Sequence, residues 1–163
     1  MTLAATSPSI RGFTLVELVI TVAILGVLAL MVTPLLEMTA KRHKEVELRD
    51  ALRQIRLAIN DYHQAVLDKR IEAAADASGY PPNLEVLAAG VPDITRPDRR
   101  NIYFLRRLPR DPMFPASDLP AQDTWGKRSY ASAPDAPQEG EDVYDVYSLS
   151  EKAGLNRVPY RQW

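Results

Sequence analysis

Residues 13–36 read FTLVELVITVAILGVLALMVTPLL, and Glu17 is the only charge among them. About 20 apolar residues in helix are enough to cross a bilayer's hydrocarbon core. A helix that is apolar on every side cannot rest on a soluble core as an amphipathic helix does. This stretch therefore demands lipid or other helices around it.

The roughly 125 residues beyond it build only a small core, which is marginal without a long helix, a staple or oligomerisation. There is no cysteine, so no disulfide framework and no thiolate site. Twenty Lys and Arg against 21 Asp and Glu leave a net charge of −1 with the signs interleaved, which excludes the basic patch of a nucleic-acid surface. No GxGxxG, Walker loop, GxSxG or HExxH occurs, and the two histidines, His43 and His63, stand far apart. No catalytic, cofactor-binding or metal-binding residue is assigned, and the chain reads as a non-enzyme.

A secretory signal places its apolar region before a small-residue cleavage site. Here the order is reversed: Gly12 precedes the apolar run, and cutting there keeps the anchor in the mature protein. A carboxylate within the bilayer costs a few kcal/mol, so Glu17 points to a function. A first-turn acid favoured by the helix dipole is the plainer reading. Gly26 and Pro34 interrupt the helix interior, and proline removes one backbone hydrogen bond, so a kink or melted turn is expected there.

The octapeptide RGFTLVEL, Arg11 to Leu18, resembles the class III signal of type IV pilins and type II secretion pseudopilins. That resemblance implies a prepilin peptidase that cuts between Gly12 and Phe13 and N-methylates Phe13. It also makes Glu17 the assembly residue, paired with the amine of a neighbouring subunit's Phe13. Lys41, Arg42 and Lys44 follow the anchor and outnumber the cations of the leader, which opposes the positive-inside rule. The signal motif decides the orientation, with the C-terminal region exported.

From Glu37 the pattern becomes amphipathic. Leu48, Leu52, Ile55, Ile59, Tyr62 and Val66 alternate at steps of four and three, one face of a helix. One helix is predicted from Phe13 to about Ala77, stopped by Ser78-Gly79. Asn83 caps a further short helix ended by Gly90. Residues 91–101 read as loop. Strands are predicted over residues 127–131, 142–149 and 158–163. The division is leader 1–12, membrane helix 13–36, amphipathic half 37–77 and a loop-rich α+β region 78–163.

Tyr80-Pro81, the run Leu108-Pro-Arg-Asp111-Pro112, Trp125-Gly126 and Tyr144-Asp-Val-Tyr-Ser148 occur in the order found in the major pseudopilin of type II secretion, which the chain resembles over most of its length. The resemblance implies an α+β, pilin-like ladle: a long N-terminal helix on a small three-stranded antiparallel sheet. It also implies a structural subunit of a periplasmic pseudopilus, first held by lipid in the bacterial inner membrane. Its partners would be other copies of itself, minor pseudopilins, the prepilin peptidase and the inner-membrane assembly platform. Two alternatives stand beside this: a type IV pilus subunit or minor pilin, and a signal-anchored periplasmic binding domain.

Two departures stand out. Residues 113–124 look inserted between Asp-Pro and Trp-Gly. The family's calcium loop corresponds to residues 149–157, which offer Glu151 as the one acid beside Lys152 and Arg157, so the calcium site is expected to be lost. Asp111, Asp118 and Asp123 lie in one proline-rich region and are expected to be solvated. The doublets Arg99-Arg100 and Arg106-Arg107 are candidates for partner contacts.

Overall fold

A computed structural model describes residues 12–73, 77–115 and 118–163, with backbone alone for residues 31–34. The sequence-based assignments for residues 1–11 lie outside the described residues. The chain divides into two compact units, Met1–Ala40 and Lys41–Trp163.

The first unit is the beginning of α1, which runs Leu15–Leu67. Its described side chains are exposed, among them Leu15, Val19, Leu25 and Leu28. Its hydroxyls are satisfied locally: Thr21 donates to the Leu18 carbonyl at 2.8 Å and Thr39 to that of Leu35 at 2.9 Å. A window of this helix is long and apolar enough to cross a membrane. α1 runs as helix through Gly26 and Pro34, without a melted turn, which leaves the kink, the other form of the expectation, open.

In the second unit α1 buries the predicted stripe. Leu48, Leu52, Ile55, Ile59 and Tyr62 are buried, Val66 is half-buried, and Ala51, Ala58 and Ala65 complete the face. The helix stops at Leu67, ten residues before the expected end. Lys69 adopts φ 56°. Its N–H donates to Val66 O at 2.9 Å and the Arg70 N–H donates to Ala65 O at 2.9 Å, a Schellman closure without glycine. Ile71 then folds back into the core, 2% exposed.

The short helix α2 (Val86–Ala89) begins after Asn83, whose Oδ1 accepts the Val86 N–H at 3.0 Å. Gly90, at φ 84°, ends it. Leu84 and Leu87 are fully buried. Residues 91–101, read as loop, instead carry a two-residue antiparallel pair, β1 (Val91–Pro92) with β2 (Asn101–Ile102).

The distal sheet is two-stranded rather than three-stranded: β3 (Trp125–Arg128) pairs antiparallel with β4 (Asp145–Ser148), Trp125 opposite Ser148 and Arg128 opposite Asp145. The strand expected over residues 158–163 is absent. Pro159 has no N–H to give a ladder. It makes one bridge with Ala153, and the chain then turns into a 3-10 helix, Tyr160–Gln162. Val146 and Tyr160 fill the core beside Trp125. The α+β class, a long N-terminal helix with small antiparallel sheets, holds.

Candidate functional site

The start of α1 carries the residues singled out by the signal motif. Gly12 is exposed, and a Cβ built there meets nothing within 4 Å. No described residue presses on this position, so none of them requires a glycine there. Phe13 is 76% exposed. Thr14 caps the helix: its Oγ1 accepts the Glu17 N–H at 3.2 Å. Thr14 and Glu17 thus occupy the N-cap and N3 places of a capping box, with only half of the box closed. The Glu17 carboxylate has no hydrogen bond or ion pair among the described residues. Gly26 also has open space around it. An interior glycine weakens a helix by about 1 kcal/mol relative to alanine, and no described residue packs into the space it leaves. Pro34 lies within α1 and supplies no N–H to the Leu30 carbonyl.

The segments that carry the second resemblance meet in the distal unit. Asp111 is 4% exposed, so the solvated loop expected for it is incorrect. Its carboxylate accepts the Ser148 hydroxyl at 2.6 Å and the Met113 N–H at 2.7 Å. Its own N–H donates to Thr124 Oγ1 at 3.1 Å. The Trp125 indole donates to Pro109 O at 2.9 Å. The Tyr147 ring lies so close over Gly126 that a Cβ there would clash with it. The Pro81 carbonyl accepts the Val143 N–H at 2.8 Å, and Tyr80 stacks on His63 with ring centroids 4.2 Å apart. These motif residues join α1, β3 and β4 to one another.

The C-terminal segment is held by side chains of α1. Lys41 Nζ donates to Ala153 O at 2.9 Å. Glu45, 3% exposed, accepts the Leu155 N–H at 2.7 Å and the Tyr160 hydroxyl at 3.0 Å through Oε1. Burial first, then the Glu45 carboxylate, push the Tyr160 phenol up to about 12. The Arg49 guanidinium lies over the Trp163 ring at 4.3 Å, and Arg56 donates to Asp145 at 2.8 Å and to Trp163 O at 2.8 Å.

Residues 149–157 hold one acid, Glu151, beside Lys152 and Arg157. Glu151 is exposed, and the Ala153 carbonyl accepts from the Lys41 ammonium group. No group of three or more metal-binding side chains occurs among the described residues.

Asp118, Asp123 and His43 are exposed. Arg100 pairs with Asp98 at 2.7 Å, while Arg106 and Arg107 have no ion pair among the described residues. A buried site that sequence reasoning missed is Asp93, 2% exposed. The Thr95 hydroxyl at 2.6 Å, and after it Arg70 at 3.0 Å, hold its carboxyl below the usual range. Glu45 was also missed, although it lies three residues before Leu48 on the buried stripe.

A long apolar helix with a signal-type start and a small cysteine-free α+β unit fit a membrane-anchored structural subunit. Residues 8–33 match the prokaryotic N-terminal methylation motif. The chain is 30% identical over 153 residues to the type II secretion system core protein G of Dickeya chrysanthemi, covering 90% of this chain and 92% of the relative. It belongs to the family of type II secretion major pseudopilins, structural subunits and not enzymes. Anchoring in an inner membrane fits the long apolar helix and this family. No solved structure gives a significant match.

Proposed function

We propose that the chain is a pseudopilus subunit made as a precursor, cut between Gly12 and Phe13 by a prepilin peptidase and N-methylated at Phe13. It then waits in the bacterial inner membrane with residues 41–163 in the periplasm. The assembly platform moves copies, with minor pseudopilins, into a periplasmic pseudopilus that drives type II secretion. The observation that carries this reading is the pair Gly12 and Glu17. Glycine stands where no described residue requires it. Five residues on, a carboxylate in an apolar helix has no hydrogen bond or ion pair among the described residues. Both features make sense when the partner is another protein: a peptidase that must pass residue 12 and a neighbour whose new N-terminal amine meets Glu17. No calcium ion takes part in holding residues 149–157.

The test is the mass of the mature N-terminus from cells that hold the peptidase. A chain starting at methylated Phe13 is expected, and Gly12→Val should leave the precursor uncut. Glu17→Leu should be processed yet lose filament output and secretion. Recovery of the wild-type chain with its leader intact would overturn the proposal.

A further inference from the structure

β3 and β4 pair with Arg128 opposite Asp145 and Gly126 opposite Tyr147. Side chains alternate along a strand, so these four positions share one face of the sheet. Val146 and Ser148, on the other face, are fully buried. The 3-10 helix Tyr160–Gln162 places Arg161 over the Tyr147 ring, its guanidinium carbon 5.5 Å from the ring centre. The Arg128 guanidinium lies over the Tyr144 ring at 5.1 Å. Arg56, Arg128 and Arg161 line one cavity of about 970 Å³.

One of the three is committed within the chain: Arg56 donates to Asp145 at 2.8 Å and to Trp163 O at 2.8 Å. The side chains of Arg128 and Arg161 make no hydrogen bond or ion pair among the described residues. Arg128 Nε is buried away from water and has no acceptor. Leaving a buried donor unpaired costs the fold that group's full desolvation, and the cost is larger for a charged group. Asp135, the other acid on the cavity, is exposed and also has no ion pair among the described residues. Two guanidinium groups therefore face one space with their donors open.

We propose that this cavity binds a small oxyanion, of phosphate or carboxylate type, through Arg128 and Arg161. All three cations of the cavity are arginine, whose planar fork matches the paired oxygens of such a group. The rings of Tyr144 and Tyr147 cover one flat face of each guanidinium and leave the N–H edges for the ligand. The anion gives Arg128 Nε the acceptor it lacks and offsets the repulsion between the two cations. Arg128 belongs to β3 and Arg161 to the C-terminal segment, so the ligand ties one to the other. A ligand that binds only the folded chain stabilises it by mass action. The site is independent of the pseudopilus reading, since it involves neither the anchor nor a second copy.

Full-length protein in a non-ionic detergent is titrated with inorganic phosphate and, separately, with acetate, sodium chloride holding the ionic strength constant. Calorimetry should show saturable binding, and the melting temperature should rise by several degrees at saturation. The tighter of the two anions identifies the ligand as phosphoryl or carboxylate. Arg161→Gln and Arg128→Gln should each weaken binding by about tenfold or more. Asp135→Asn, which removes the free acid of the cavity, should tighten it. Lys152→Gln, which removes an exposed cation that does not line the cavity, should leave it unchanged. Arg161 is exposed, so its variant keeps the test decisive where Arg128→Gln fails to fold. A chain that binds neither anion in preference to chloride, or binds one equally well after Arg161→Gln, would overturn the proposal.

Discussion

Glu45 and Tyr160 stand 115 positions apart in the sequence and share a buried hydrogen bond of 3.0 Å. The same carboxylate oxygen accepts the Leu155 N–H, so one side chain of α1 fixes both ends of the last turn. Hydrogen bonds to a charged group contribute about 1.5–3 kcal/mol, and a buried donor left unpaired costs a similar amount. Glu45→Ala should therefore lower the melting temperature of the full chain in detergent by several degrees and expose the C-terminal segment to carboxypeptidase. Unchanged melting and unchanged protease resistance would show that the segment is held by Trp163 and Arg56 instead.

The phenol of Tyr160 adds a pH signature. Burial and Glu45 raise it from 10.0 to about 12, so the fold favours its protonated form. That stability is fully present below pH 10, where the unfolded phenol still keeps its proton. It is lost as pH rises from about 10 through about 12. Comparing wild type with Tyr160→Phe in denaturant unfolding across this window cancels the other tyrosines. The wild type should lose stability more steeply; parallel curves would contradict the assignment.

Asp111, in the loop before β3, and Ser148 of β4 form a second buried contact. Asp111→Ala leaves the Ser148 hydroxyl and the Met113 N–H without their acceptor, whereas Ser148→Ala removes one of the two donors. The first change should destabilise by roughly 1–3 kcal/mol, and the second by less. The two effects should be non-additive by about 0.5 kcal/mol or more, because the residues share one network. Additive losses in a double-mutant cycle would mean that the 2.6 Å contact is energetically idle.

Sequence periodicity was enough to find the buried face of α1, because an apolar residue every three or four positions is a local signal. Its end was not legible. Asp68-Lys69-Arg70 contains neither glycine nor proline, and a lysine at φ 56° breaks the helix only because the following Ile71 finds a place in the core. The third strand was misread for a similar reason. Val158 to Trp163 has strand-like composition, but what positions it is Glu45, Arg49 and Arg56, which are remote in sequence. Asp93 looked like an ordinary loop acid until Arg70 and Thr95 came to surround it. Gly12 and Glu17 stand out in the sequence itself, since a glycine directly before an apolar run and the single charge within that run need no tertiary structure to be noticed.

The proposed absence of calcium from residues 149–157 can be tested through Lys41. Its ammonium group donates to Ala153 O at 2.9 Å, in the segment where the family's metal would sit. The only acid of residues 149–157, Glu151, is exposed. A divalent ion entering there must displace a cation and would find too few oxygens. The small unit still needs a staple, and the lysine, Glu45 and the terminal tryptophan provide one. Millimolar calcium or chelator should leave the melting temperature of the wild-type chain unchanged. Lys41→Met should lower it by a degree or two, as loss of one exposed hydrogen bond to a charged donor would, and Trp163→Ala by several degrees, as loss of a large packed ring does. A melting temperature that rises with calcium and falls back with chelator would show that the ammonium yields its place and that the metal site persists.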